Sequence, residues 1–183
     1  MTELPNGLIA DHARVDLYTR ITCVLNATRT HRYLLSHVWD ECIPPMVWIM
    51  LNPSIANANQ NDPTFSRCLH HSRQREAGGT VVVNLFALIA TDHRKLINHP
   101  DAVGKFNDLV LTTLIPPNPW LVCAWGASKF AEPRAVAVTQ LLANYPMWCL
   151  GTNENGSPKH PLYLPYNGRL EPYTPPQRPN PVV

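Results

Sequence analysis

Four apolar runs set the frame of this chain: Met46 to Leu51, Thr80 to Val83, Trp120 to Ala124 and Met147 to Leu150. None alternates with polar residues, so each reads as a strand buried on both faces. Helical signals separate them. Asp62 is a plausible N-cap with Pro63 at the first helical position, and that helix is expected to run to about Ala77 and stop at Gly78-Gly79. A second helix is expected from about Ala102 to Leu114, stopped by Pro116-Pro117, and a third from about Pro133 to Asn144. Upstream, Thr19 to Leu25 and Arg32 to Trp39 flank the turn-like Asn26 to Thr30, which predicts an antiparallel hairpin. The first ten or so residues read as loosely ordered. Gly151 to Lys159 reads as loop, and His160 to Leu164 closes the domain.

This alternation of strands and helices predicts a parallel sheet with helices on both faces and right-handed crossovers. The expected fold class is α/β: a three-layer α/β/α arrangement around a four-stranded, mostly parallel sheet. The N-terminal β-hairpin is expected against one sheet edge. Residues 1–170 form a single domain in this reading, and residues 171–183, with five prolines from Pro172 on, form an extended C-terminal tail.

Composition narrows the class. At 183 residues the chain suits one domain with a real core. The 19 prolines are about twice average usage. They cluster in loops and the tail, without a collagen-like period. The net charge of +2 does not mark a nucleic-acid binder by itself. Between Arg67 and Lys105, however, six bases face three acids, with four histidines added, which reads either as a modest phosphate-attracting face or as a solvated mixed surface. The five cysteines are odd in number and form no Cys-x-x-Cys, so neither a disulfide framework nor a zinc knuckle is implied. No signal peptide is visible and no apolar run nears the roughly 18 residues of a membrane span. The expectation is a reduced, cytoplasmic protein with no cofactor, no metal and no membrane partner.

In an open α/β sheet, ligands sit beyond the carboxyl ends of the strands. Here those ends carry Asn52 and Ser54, Asn84, Trp125-Gly126 and, after a loop, Lys159-His160. Each has a plain structural reading too: Asn-Pro-Ser stops a strand, and Asn84 caps backbone groups. A buried carboxamide without partners costs about 1–3 kcal/mol, and a carboxamide also matches the donor and acceptor edge of a nucleobase. Asp62 and Thr64 fit helix capping. Arg67 lies one turn inside a helix N-terminus, a phosphate-binding position. Asn107 and Asp108 face either the rim or solvent. His160 offers a donor to a developing anion. Phosphate loops, dinucleotide fingerprints, nucleophile elbows and metal-ligand spacings are absent from the sequence.

The ordered set Trp48-Ile49-Met50-Leu51-Asn52-Pro53-Ser54, Asp62-Pro63-Thr64, Asn84-Leu85-Phe86, Trp125-Gly126 and Lys159-His160-Pro161-Leu162 resembles an uncharacterised family of bacterial and phage proteins. More distantly it resembles the uracil-DNA glycosylase superfamily. That second resemblance implies that Asn52 positions the attacking water, Asn84 reads the base, Phe86 stacks on it and His160 stabilises the leaving base anion. Met50-Leu51 stands where that superfamily has a glycine-containing approach, and Leu162-Tyr163 where it has Ser-Pro.

The expected function is therefore hydrolysis of the N-glycosidic bond of a modified or non-standard base in DNA or a nucleotide. Asn52 and His160 are the expected catalytic residues. Ser54, Asn84, Phe86, Trp125, Arg67 and Lys159 are expected to bind substrate, with Arg73 joining Arg67 and Lys159 along a nucleic-acid groove. The first alternative is a non-catalytic nucleic-acid or nucleotide binder. The second is an accessory protein that presents the Pro-rich tail to a partner.

Overall fold

The computed structural model describes residues 4–54, 62–117 and 119–175. Its strands are β1 (Leu8–Arg14), β2 (Arg20–Asn26), β3 (Arg32–Val38), β4 (Met46–Met50), β5 (Gly79–Asn84), β6 (Trp120–Cys123), β7 (Met147–Cys149) and β8 (Glu171–Pro172). Its α-helices are α1 (Pro63–Gln74), α2 (Asn107–Thr113) and α3 (Glu132–Leu141). All eight strands form one mixed sheet in the order β1-β2-β3-β5-β4-β6-β7-β8. The pairs β5-β4, β4-β6 and β6-β7 are parallel, and the remaining pairs are antiparallel.

This corrects the expected fold. The four-stranded, mostly parallel sheet with a hairpin laid against it is instead a single eight-stranded mixed sheet. It also departs from the uracil-DNA glycosylase-like architecture that the distant resemblance implied, so the glycosylase-like description of the fold falls with it. The physical reason lies in β3. Leu35 pairs with Val82 and Val38 with Gly79, so the hairpin continues the sheet through β5. Six of the seven β3 residues are buried, a pattern of an interior strand rather than an edge. The first ten or so residues, expected to be loosely ordered, run into the start of β1, which pairs with β2 along its whole length from Leu8–Asn26 to Arg14–Arg20.

The buried strands divide their side chains between two layers, as period-2 alternation requires. Val47, Ile49, Val81, Val83, Leu121 and Cys123 face the core shared with Val110 and Leu111 of α2 and Val138 of α3. Met46, Trp48, Met50, Val82 and Val122 face the core shared with Phe65 and Cys68 of α1. Trp48 is fully buried, and its Nε1–H donates to Ser72 Oγ at 3.3 Å, so α1 is held by a hydrogen bond as well as by apolar contact.

The expected second helix begins late. Gly104 has φ +85, and a Cβ there would lie 3.0 Å from both the His31 and Tyr33 rings. That left-handed residue breaks the helix before Phe106. The first helix ends at Gln74 rather than near Ala77, because Glu76 takes the left-handed conformation at φ 54. At the other end of the chain, Tyr173 is buried and its N–H donates to Met147 O at 2.8 Å. The expected tail beyond Pro175 lies outside the described residues.

Candidate functional site

The parallel strands β4, β5 and β6 end on one rim, and a cavity of about 440 Å³ opens there, within the usual range for small-molecule sites. Met50, Leu51 and Asn52 contribute from the end of β4, Val82 and Asn84 from β5, and Trp125 and Gly126 from just beyond β6. The start of α1 supplies Asp62, Thr64 and Phe65, and Ser54 adds its side chain two residues past Asn52. His160 and Tyr163 close the far side, and Arg32 enters from the start of β3.

Each wall is pinned by local chemistry. Asn52 Nδ2 donates to Ala90 O at 2.7 Å and to Pro53 O at 3.0 Å, which stitches the loop after β5 to the end of β4. With both N–H groups so engaged, Oδ1 is the atom left to meet a ligand. Asp62 caps α1 by accepting from Phe65 N at 2.7 Å, and its other oxygen accepts from Ser54 Oγ. His160 caps the short 3₁₀ turn Pro161–Tyr163, its Nδ1 accepting from Leu162 N at 3.3 Å. The neutral ring therefore carries its proton on Nε2. Burial pushes the His160 pKa down against the opposing pull of Asp62, so the ring is neutral at pH 7. Gly126 (φ +81) donates its N–H to Pro158 O at 3.0 Å, which fixes the loop carrying His160 to the end of β6.

Asn84 is 1% exposed, and neither its Nδ2 nor its Oδ1 has a partner among the described residues. Its backbone, by contrast, is tightly held. Asn107 Nδ2 donates to both Asn84 O and Leu85 O at 3.0 Å, and Arg134 Nε donates to Leu85 O at 2.8 Å. Arg134 also pairs with Asp108. Asn107, which periodicity left open between rim and solvent, is fully buried beneath the site, and its role is to position Asn84.

Five of the sequence-predicted site residues meet in this cavity: Asn52, Ser54, Asn84, Trp125 and His160. Three do not line it. Phe86 turns into the α2/α3 core, 5.7 Å from the Phe130 ring, because it lies beyond the strand end where alternation no longer aims it at the rim. Arg67 donates from Nη1 to Leu164 O at 2.8 Å and stacks on Tyr166 at 3.7 Å, so it clamps the closing loop onto α1. Lys159 is exposed, with its stem alongside Gly151. Arg73 stacks over Trp39, 4.5 Å from the ring centroid. Sequence reasoning missed Arg32, His93 and Tyr163. The available signal for Arg32 was a charged residue opening the strongly apolar Tyr33-Leu34-Leu35, but only the β3–β5 pairing brings it to the rim.

A wider groove of about 760 Å³ runs over β1, β2 and β3. Its basic side chains are already partnered: Arg20 with Glu41 at 2.9 Å and Arg14 with Leu17 O at 3.4 Å. The rim cavity is the better candidate because two side chains on its wall, Arg32 and Asn84, hold buried polar atoms with no partner among the described residues. Among the described residues no cluster of histidine, cysteine and carboxylate side chains is arranged to hold a metal ion, and no helix is long and apolar enough to cross a membrane.

A family described as a protein of unknown function (DUF1643) matches residues 32–162, well over half the chain. The matched segment starts at Arg32 and takes in every described residue of the cavity except Tyr163. No curated protein and no solved structure matches.

Proposed function

The chain belongs to the DUF1643 family of unknown function, and for it we propose that the rim cavity binds a nucleobase of DNA or of a nucleotide and hydrolyses its N-glycosidic bond, the base being a modified or non-standard one. The observation that carries the reading is Asn84. A carboxamide with a buried, unpartnered donor and acceptor is costly unless a ligand completes both bonds, and a base edge offers an adjacent acceptor and donor.

The remaining groups fit the chemistry of that bond. As the C1′–N bond breaks, its electron pair leaves with the base and positive charge spreads over the sugar. The Nε2–H of neutral His160 donates to the base where the negative charge gathers, and burial strengthens that bond. Asn52 Oδ1 accepts from the incoming water. The water oxygen joins C1′, and its two hydrogens end on the new hydroxyl and, through solvent, on the base. Trp125 supplies an aromatic wall.

A second reading, binding without turnover, draws on Asp62. It is the one carboxylate among the described cavity residues, and both of its oxygens hold structural hydrogen bonds, from Ser54 Oγ and Phe65 N, which gives it an anchoring place at the start of α1. One experiment separates the two. Purified protein is incubated with DNA carrying uracil or hydroxymethylated pyrimidines, and with the matching nucleotides, and abasic product and free base are measured. Hydrolysis predicts release that falls at least 100-fold in His160→Gln and Asn84→Ala. Saturable binding with no release supports the second reading. Neither release nor binding at low salt refutes both.

A further inference from the structure

Arg32 opens β3, its backbone N–H held by Ala87 O at 2.9 Å, and its side chain reaches the rim cavity with 4% of the residue exposed. Its guanidinium meets no acceptor among the described residues. Nε and Nη1 are wholly buried without a partner, and no carboxylate among the described residues lies within ion-pair distance. A guanidinium does not relieve such burial by losing its proton. A buried cation left unpaired is among the least favourable arrangements a protein can hold. Asp62, the one carboxylate on the described cavity wall, attracts the guanidinium only from beyond ion-pair distance, and its oxygens are oriented by their bonds to Ser54 and Phe65 N. Asn84 lines the same cavity with its own amide unpartnered. Donors on these two side chains thus outnumber acceptors: the guanidinium N–H groups and the Asn84 amide N–H groups stand against a single Oδ1. Such a set is complete only when an acceptor-rich, negatively charged group enters.

We propose that Arg32 is an anion-binding residue of the cavity and sets its specificity: the ligand presents an oxyanion to the guanidinium while Asn84 reads the neighbouring edge. The oxyanion is a carboxylate carried by the base or a phosphate carried by the nucleotide. The inference shares the cavity with the function proposed above and takes from it only that the ligand is a base or nucleotide. It uses none of the bond cleavage.

The test compares the wild-type chain with Arg32→Met and Arg32→Lys by thermal unfolding and titration calorimetry. The probes are inorganic phosphate, 6-carboxyuracil, uridine 5′-monophosphate, uracil and uridine at low salt. The expected result has two parts. Without ligand, Arg32→Met melts at the same temperature as wild type or higher, because an unpaired buried cation gives way to an apolar side chain of similar length. With ligand, it binds the charged probes at least tenfold more weakly, and Arg32→Lys lies between. Tight 6-carboxyuracil with weak phosphate and monophosphate assigns the oxyanion to the base, and the reverse assigns it to the nucleotide. Three results overturn the proposal: an Arg32→Met melting point several degrees below wild type, as an arginine serving only structure gives; equal wild-type affinity for uracil, uridine and the charged probes; or no wild-type binding of any charged probe. Oxyanion binding that depends on Arg32 in a protein that releases no base retires hydrolysis and keeps the anion site. Base release that survives Arg32→Met with unchanged kcat/KM retires the anion site and keeps hydrolysis.

Discussion

Acid should unfold this protein through two buried histidines before its carboxylates contribute. His71 on α1 is fully buried, and His37 on β3 nearly so. Burial, with Arg75, His70 and Arg67 adding like charge, lowers the His71 pKa from 6.5 to about 4. Burial, with Arg73 adding to it, lowers His37 to about 4. His71 Nδ1 faces Arg75 Nη1 at 3.3 Å, so its proton sits on Nε2, and both Nε2 atoms are buried without partners. In the unfolded chain these rings titrate near 6.5, so the unfolded state binds more protons between the two values. Their contribution is therefore fully present above about pH 6.5 and lost as pH falls toward the folded value of about 4. A displacement of this size is worth about 3 kcal/mol per histidine at most, so the pair, at about 6 kcal/mol, is comparable with a total of roughly 5–15 kcal/mol. Urea unfolding at pH 8, 6.5, 5 and 4, followed by tryptophan fluorescence, measures it. Trp48 lies 5.9 Å from the His71 ring and reports the same region. Wild type should lose several kcal/mol across this window, and the double variant His37→Leu/His71→Leu should lose little. Replacing His71 leaves Arg75 its bond to the residue-71 carbonyl at 3.2 Å, so the variant does not orphan that guanidinium. Asp92, held at about 2 by Arg94, begins to lose its contribution only as pH falls to the unfolded carboxylate range at the acid end of the window, and the double variant, which keeps Asp92, subtracts that loss. Flat wild-type stability from pH 8 to 4, or a double variant as steep as wild type, refutes the reasoning.

Two further substitutions probe how the fold supports the site. In Asn107→Asp, the amide that donates to Asn84 O and Leu85 O becomes a buried acceptor facing two carbonyls. A loss of about 3 kcal/mol is expected at pH 7, easing as pH falls and the carboxyl protonates, and denaturant midpoints at pH 7 and 5 check it: a loss under about 1 kcal/mol at pH 7 contradicts the role. Gly78→Ala places a Cβ 2.1 Å from Ile43 O and 2.2 Å from Asp40 O, both backbone atoms, and should cost about 3 kcal/mol or more by prising the β3–β4 connection off the end of α1. A melting temperature within 2 °C of wild type, below the 2–4 °C that about 1 kcal/mol moves a domain of this size, contradicts the close approach.

The four apolar runs, the first and third helices and the β2–β3 pair were legible in the sequence because each is dictated locally. Uninterrupted apolar residues must be buried on both faces, Asp62-Pro63 starts a helix, and a polar residue at a strand end marks a rim. Asn52, Ser54, Asn84, Trp125 and His160 were found by that rule, and they share one cavity. Phe86 escaped the rule because its direction depends on what packs against it, and Arg67 because the closing loop happens to offer Leu164 O within reach. The number of strands in the sheet was not written locally at all. A hairpin has two open edges, and whether one of them pairs with β5 depends on which surface the rest of the chain presents to it. That antiparallel pairing, Leu35 with Val82, joined the hairpin strands to the parallel strands in one sheet. It also carried to the wall of the site a buried arginine with no partner among the described residues, where charge, burial and want of a partner have meaning only together.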